Sequence, residues 1–327
     1  MKSYIRAALF PMLSLLVLQA WGQPSRDENP SVAYSYKGVL YLTRESGRGL
    51  RSVKTTLPIG EFAVSHDGKL VIFSPPRSAK LTGGPLWILN IATGALERVP
   101  PDPFYNDRPG RKRIEFYADP EFAPDDKSVV FAVHGRGTGD LVETNGPVAI
   151  FDLETRQVRI LKASLGNDGF PVGFPYDSHW SPDGKQILLN YEGHSSITDT
   201  GGTKLTDLVI PENEISQSPL SYGMYSVGWL GPGCVLYEAG DDPDRDPARV
   251  LNLSTGTTTS AADLLKLPEQ SLRGVLAFSR QLWVRHHGSR YRVDGPGVSW
   301  LIPGDSATTH VRILRKSSED SIPDGCR

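Results

Sequence analysis

The chain has 327 residues, of which 39% are hydrophobic, and a formal net charge of -2, a composition typical of a globular protein. This near-neutral charge gives no electrostatic basis for binding nucleic acid or an anionic membrane surface. The 33 glycines and 26 prolines indicate many turns and disfavour a largely helical fold.

Residues 1–22 have the pattern of a secretory signal peptide. Lys2 and Arg6 form a positively charged start, residues 7–20 are mostly apolar, and small residues precede a predicted cut after Gly22. A membrane anchor is the alternative, but the apolar stretch is shorter than the roughly 20 residues that a spanning helix needs. We therefore predict a periplasmic or secreted protein whose mature chain has no membrane span.

The rest of the chain carries one pattern that recurs about every 50 residues. In each copy a bulky residue ends a short predicted strand, a turn follows, and an apolar, β-branched strand comes next. Successive bulky residues are 58, 58, 49 and 49 positions apart, and they are Val64, Phe122, Trp180, Trp229 and Phe278. Such even spacing indicates a repeat architecture.

The turns in these copies contain the residues that tight hairpins require. The clearest copy reads Ser-Pro-Asp-Gly-Lys at residues 181–185. We predict a structural role for the turn residues Asp67, Gly68, Asp125, Pro182, Asp183, Gly184, Pro232 and Gly233.

Each copy continues with two more predicted strands, as in residues 85–99, which gives four strands per copy. A single four-stranded sheet cannot bury both of its faces, whereas sheets stacked around an axis bury them against each other. A β-sandwich is the alternative, but it gives no reason for turn residues to recur at a fixed interval. The sequence therefore predicts an all-β propeller of four-stranded blades, with six blades favoured and five as the alternative.

The two ends of the repeat region predict how the ring closes. Residues 37–54 match only the second half of a repeat, and a strand beginning at His310 would complete that blade. The predicted boundaries are a signal peptide at 1–22, a short linker at 23–31, the propeller at 32–316 and a C-terminal tail at 317–327.

The Ser-Pro-Asp-Gly-Lys turn after Trp180, together with WILNIATGALERV at residues 87–99, resembles the WD40-like (PD40) repeat of TolB-type propellers. The resemblance covers nearly the whole predicted mature chain and implies a β-propeller. TolB itself has an α/β domain before its propeller, and we expect that domain to be absent because strand patterns begin near Val32. The Tol–Pal envelope partners of TolB are therefore not carried over.

TolB-like propellers also cap serine peptidases of the prolyl oligopeptidase type. Those enzymes need an α/β-hydrolase domain with a Gly-x-Ser-x-Gly motif. The sequence has no such motif and no spare length for such a domain, so we do not predict a peptidase.

Three of the seven scattered histidines are candidate binding residues. His134 and His194 adjoin glycines at predicted strand exits, and His179 precedes Trp180. The alternative is that these are histidines of solvated loops, since no ligand spacing supports a metal. His179 and Asn190 do not recur in the other copies, so a function peculiar to this copy would depend on them.

The acidic segment DDPDRDP at residues 241–247 is a weak candidate for a Ca²⁺ site, with Asp242, Asp244 and Asp246 as ligands. An EF-hand loop would need glycine at Pro247 and glutamate at Leu253, which disfavours this interpretation. A solvated loop between strands is the alternative. We predict no cofactor.

The two cysteines, Cys234 and Cys326, lack the neighbouring ligands of a metal or catalytic site. A disulfide between them is compatible with an oxidising compartment, and the sequence leaves open whether they are bridged or unpaired.

These observations favour a non-catalytic module that binds an envelope or secreted protein, or another ligand, of unknown identity. The alternative is a propeller enzyme, a lyase or hydrolase, with its site in the central channel. A ring of histidine, arginine and carboxylates around the channel with a bound cation would favour the enzyme. A channel lined by non-titrating residues would exclude it.

Overall fold

The computed structural model describes residues 30–44, 46–76, 84–100, 114–135, 146–167, 172, 175–191, 194–208, 224–239, 248–266, 275–278, 283–287, 289–295, 298–304, 310–314 and 325–326. The predicted signal peptide and the acidic segment 241–247 lie outside the described residues.

The regular secondary structure of the described residues consists almost entirely of β-strands. In chain order these are β1 (Val32–Tyr36), β2 (Val39–Thr43), β3 (Arg51–Val53), β4 (Phe62–Val64), β5 (Leu70–Phe73), β6 (Trp87–Asn90), β7 (Leu96–Arg98), β8 (Ile114–Phe122), β9 (Ser128–Gly135), β10 (Val148–Asp152), β11 (Val158–Ile160), β12 (Pro175–Trp180), β13 (Gln186–Tyr191), β14 (His194–Asp199), β15 (Lys204–Leu208), β16 (Met224–Gly231), β17 (Cys234–Ala239), β18 (Arg249–Asn252), β19 (Thr258–Ser260), β20 (Val275–Phe278), β21 (Trp283–His287), β22 (Arg290–Gly295), β23 (Val298–Leu301) and β24 (His310–Ile313). A 3₁₀ turn (Lys162–Ser164) and a short helix α1 (Ala261–Leu265) complete the set.

These strands form antiparallel four-stranded sheets, the blades of a propeller. Five blades use consecutive strands: blade 2 is β4–β7, blade 3 is β8–β11, blade 4 is β12–β15, blade 5 is β16–β19 and blade 6 is β20–β23. Blade 1 has the order β24-β1-β2-β3, so it joins the C-terminal strand to three N-terminal strands. The predicted fold class, an all-β propeller of four-stranded blades, is confirmed.

The hairpin turns have the geometry that their sequences demand. In blade 4 the hydroxyl of Ser181 donates to Asp183 at 2.7 Å, and the Lys185 N–H donates to the same carboxylate at 3.1 Å. Gly184 has a φ of 70°, a left-handed conformation that glycine adopts without a steric penalty. The turns of blades 2, 3 and 5 contain the other residues predicted for this role, namely Asp67, Gly68, Asp125, Pro232 and Gly233.

Blade 3 has Asp126 at the position of this glycine, and Asp126 also has a positive φ, of 57°. Its carboxylate accepts the backbone N–H groups of His66 and Asp67 at 2.8 and 2.9 Å, and lies 2.8 Å from the His66 ring. His66 lowers the pKa of Asp126, outweighing the opposing effect of burial. Left-handed backbone strain is thus offset by hydrogen bonds that join blade 2 to blade 3.

Replacement of Asp126 with glycine is expected to destabilise the protein by about 1–2 kcal/mol, because the lost charge-assisted hydrogen bonds outweigh the relieved strain. Chemical denaturation would measure this loss. Gly184→Ala is the comparison variant, since it adds only the strain of a left-handed non-glycine residue. An Asp126→Gly variant as stable as the wild type would show that these inter-blade hydrogen bonds contribute no more than the strain that glycine relieves.

The two tryptophans of the repeat pack between blades. Trp180 is 4% exposed and lies in one cluster with Ile187 and Leu189 of its own blade and Val130 of blade 3. The equivalent Trp229 is 3% exposed and packs with residues of blades 4 and 5. Their recurrence in the sequence therefore reflects the burial of blade faces against each other.

Cys234 and Cys326 form a disulfide. The Gly233 N–H donates to the Cys326 carbonyl at 3.1 Å, and the Asn252 amide donates to the Gly325 carbonyl at 2.8 Å. These contacts fix the end of the predicted tail to blade 5. Because β24 belongs to blade 1, the C-terminal segment connects blade 1 to blade 5.

In the part of the chain that the structure describes, no helix has both the length and the apolar character needed to cross a bilayer.

Candidate functional site: a charged cluster in the central channel

The innermost strand of each blade faces the axis of a propeller, and here those strands contact one another in the order β4, β8, β12, β16, β20 and β24. Charged side chains from four of the blades meet at this axis. We call them the channel cluster, and they are Glu61, Asp119, Glu121, Asp177, His179 and Arg312.

The ion pair between Arg312 and Asp119 shows that the cluster lies near the axis. The Arg312 Nη2 and Asp119 Oδ1 atoms are 3.2 Å apart, although β24 belongs to blade 1 and β8 to blade 3. The two side chains are 38% and 30% exposed, so they are accessible to solvent while in contact.

His179 is held between carboxylates of two blades. Its Nδ1 lies 2.8 Å from Glu121 Oε2, and its Nε2 lies 3.3 Å from Asp177 Oδ2. The second oxygen of Glu121 accepts the Trp180 N–H at 3.0 Å. From blade 5, the Trp229 indole N–H donates to the His179 carbonyl at 3.0 Å. Contacts with blades 3, 4 and 5 therefore fix this residue.

The contacts of the His179 ring determine its charge. A neutral imidazole carries one N–H, so it would turn a lone pair towards one of the two carboxylates. Burial alone would lower the pKa of His179, but Asp177 and Glu121 outweigh it and raise that pKa to about 10. In turn His179 holds the pKa of Asp177 below its usual value against the effect of burial. His179 is therefore an imidazolium at neutral pH.

The surroundings of Asp119 raise its pKa, whereas the surroundings of Asp177 lower its pKa. Asp119 sits in a bulge of β8 with a φ of 46°, and its N–H donates to Glu61 Oε2 at 3.0 Å. Partial burial and the neighbouring Glu61 raise the pKa of Asp119 to about 7, although Arg312 opposes this rise. Asp119 can thus exchange a proton near neutral pH.

The cluster contains four carboxyl groups and two cationic groups. It can present fixed charges to a ligand, and Asp119 can give or take a proton near pH 7. His179, already protonated, cannot act as a general base at that pH. Among the described residues, no group of three or more His, Cys, Asp or Glu side chains is arranged to hold a metal ion.

The structure places the predicted site residues in different surroundings. His179 belongs to the channel cluster, and Asn190 donates a hydrogen bond to Asp177. His134 is buried in β9, with 1% of its surface exposed. His194 begins β14, but its side chain lies outside the described residues, as do Asp242, Asp244 and Asp246.

Sequence reasoning missed Glu61, Asp119, Glu121, Asp177 and Arg312. A signal for part of this set was present, since Glu61, Asp119 and Asp177 are each separated by 58 residues. Each lies three residues before the bulky residue of its repeat. An acidic residue that recurs at one repeat position predicts carboxylates close together at the axis. No comparable signal exists for Arg312, which lies on the closing strand β24.

Comparison with solved structures supports the fold. The structure is similar to TolB from Acinetobacter baumannii (TM-score 0.55, 16% identity), covering 86% of this chain and 65% of that one, so it spans less than two thirds of that TolB. It also matches a putative TolB from Agrobacterium tumefaciens (0.47, 14%, covering 88% of each chain) and a prolyl endopeptidase (0.46, 14%, covering 85% and 43%). No family model and no curated protein matches the sequence. The chain has the TolB-like β-propeller fold.

Proposed function

We propose that the protein is a non-catalytic binding module, periplasmic or secreted, which recognises its ligand through the channel cluster. The signal-peptide pattern of residues 1–22 supports the location. The ligand is a protein or another component of the envelope or the extracellular space.

The observation that carries this proposal is the fixed arrangement of His179 between Glu121 and Asp177. Groups held in place by three blades are preorganised, so a ligand binds them without paying for their ordering. Glu121 and Asp177 are 33% and 36% exposed, so each retains a surface that a ligand can contact. Because carboxyl groups outnumber cationic groups in the cluster, a ligand that presents a positive charge is favoured.

A second candidate is an enzyme that uses the same channel. It is favoured by Asp119, whose pKa of about 7 suits general acid–base catalysis. The pairing of the other cluster members with one another argues against it, because His179 and Arg312 are already engaged with carboxylates.

Affinity capture from an envelope extract of the source organism tests both functions. We expect the immobilised mature protein to retain one stoichiometric partner, and Glu121→Gln to retain at least about tenfold less, a typical effect of losing a charge-assisted contact. The control is Glu97→Gln, the same substitution on outer strand β7, where the side chain is 50% exposed. Equal retention by both variants would place binding outside the channel. Turnover of an extract component that is lost in Asp119→Asn would establish the enzyme instead.

A further inference from the structure

A ladder of polar side chains crosses blade 4 behind the channel cluster. Asp177 of β12 pairs directly with Asn190 of β13, and Asn190 pairs directly with Ser195 of β14. Asn190 and Ser195 are 4% and 0% exposed. Two adjacent buried polar residues in the middle of a sheet are unusual, because burying an amide or a hydroxyl costs free energy unless each is hydrogen-bonded.

The ladder is continuous and has one direction. The Ser195 hydroxyl donates to the Asn190 carbonyl oxygen at 2.8 Å. The Asn190 amide nitrogen then donates to Asp177 Oδ1, and the second oxygen of Asp177 faces the His179 ring. One chain of contacts therefore runs from the interior of blade 4 to the channel.

Asp177 and Ser195 engage the two ends of the Asn190 amide. An amide presents a donor at one end and an acceptor at the other, and its hydrogen-bond partners fix its orientation. Because the Asp177 carboxylate can only accept, Asn190 turns its N–H₂ group towards Asp177 and its oxygen towards the Ser195 hydroxyl. Without that hydroxyl, the buried Asn190 oxygen would lose this donor, and the amide would be held less firmly against Asp177.

The same position in the neighbouring blades lacks this amide. This position lies 13 residues after the repeated acid of each blade. It is Ser74 after Glu61, Ala132 after Asp119 and Asn190 after Asp177. Of these three blades, only the one whose inner strand carries His179 has an amide at this position.

We propose that Asn190 and Ser195 are positioning residues, which act through Asp177 to hold His179 as a fixed cation between Asp177 and Glu121. The proposal rests on the proposed function in that it assigns His179 to the binding site. It requires no ligand contact by Asn190 or Ser195 themselves. The charged groups around His179 are Asp177 on its own strand, Glu121 on β8, and Arg312 and Asp119 beyond them.

The test is an NMR titration of the His179 ring in ¹⁵N-labelled protein, with the signal assigned by its loss in His179→Gln. We expect the wild-type ring to stay doubly protonated at pH 8. Asn190→Leu, which keeps a similar volume, should lower the His179 pKa by about one unit or more, because a loosened Asp177 stabilises the imidazolium less. Ser195→Ala should lower it in the same direction by a smaller amount.

The control is Ser196→Ala, the same change at the next residue of β14, which is 2% exposed and lies on the opposite face of the strand. It should leave the His179 titration unchanged. An unchanged His179 pKa in Asn190→Leu, or in Ser195→Ala if the former does not fold, would overturn the proposal. Because no ligand is used, this result is independent of the capture experiment, whose failure would concern only the proposed function.

Discussion

Replacing both Cys234 and Cys326 with alanine is expected to lower the melting temperature by about 10 °C. The disulfide joins residues 92 positions apart, and the restriction that such a loop places on the unfolded chain is worth about 4 kcal/mol. The loop contains most of blade 5, blade 6 and the closing strand β24, so the loss should affect ring closure directly.

Calorimetry with and without a reductant measures this effect. The reductant should lower the melting temperature of the wild type and leave that of the double variant unchanged. A wild type whose melting temperature is insensitive to complete reduction would contradict the expected contribution of the bridge to stability.

Raising the pH from about 6.5 to about 10 is expected to destabilise the folded protein through His179. The pKa of His179 rises from 6.5 to about 10 on folding, so the folded state binds a proton more tightly than the unfolded state. The stabilisation is complete below pH 6.5 and is lost as the pH rises through the folded pKa. A shift of this size corresponds to a change on the order of 3–5 kcal/mol.

Urea denaturation at a series of pH values measures this dependence. The free energy of unfolding of His179→Gln should be lower than that of the wild type at pH 6.5 and should change less between pH 6.5 and 10. Parallel curves for the two proteins would show that His179 is not held as an imidazolium. Asp119 adds a second pH dependence, because its pKa is raised to about 7 in the folded state. The stability that its bound proton gives is lost as the pH rises from about 4 to 7, so the free energy of unfolding also falls with rising pH in this lower range.

The fold could be predicted from the sequence because its structural elements repeat. Hairpin turns such as residues 181–185 depend on local backbone conformation, and the bulky residues recur because each blade packs on the next. Both are properties of single repeats, so they persist wherever a repeat is found. Ring closure by β24 was also predictable, because residues 37–54 contained only part of a blade.

The site was only partly predictable, because it depends on contacts between repeats. His179 and Asn190 stood out as residues that do not recur, and both contact Asp177. Arg312 and Asp119 are 193 residues apart, and nothing local in either segment indicates their ion pair. Asp126 likewise replaces an expected turn glycine for a reason that lies in the neighbouring blade.

The most direct measurement of the central claim is the affinity of the captured partner for the wild type and for Glu121→Gln, determined by titration calorimetry at pH 7. If the channel cluster is the binding site, Glu121→Gln should weaken binding at least about tenfold, a loss of about 1.4 kcal/mol, while Glu97→Gln binds as the wild type does. Equal affinities of all three proteins would contradict the assignment of the binding site to the channel.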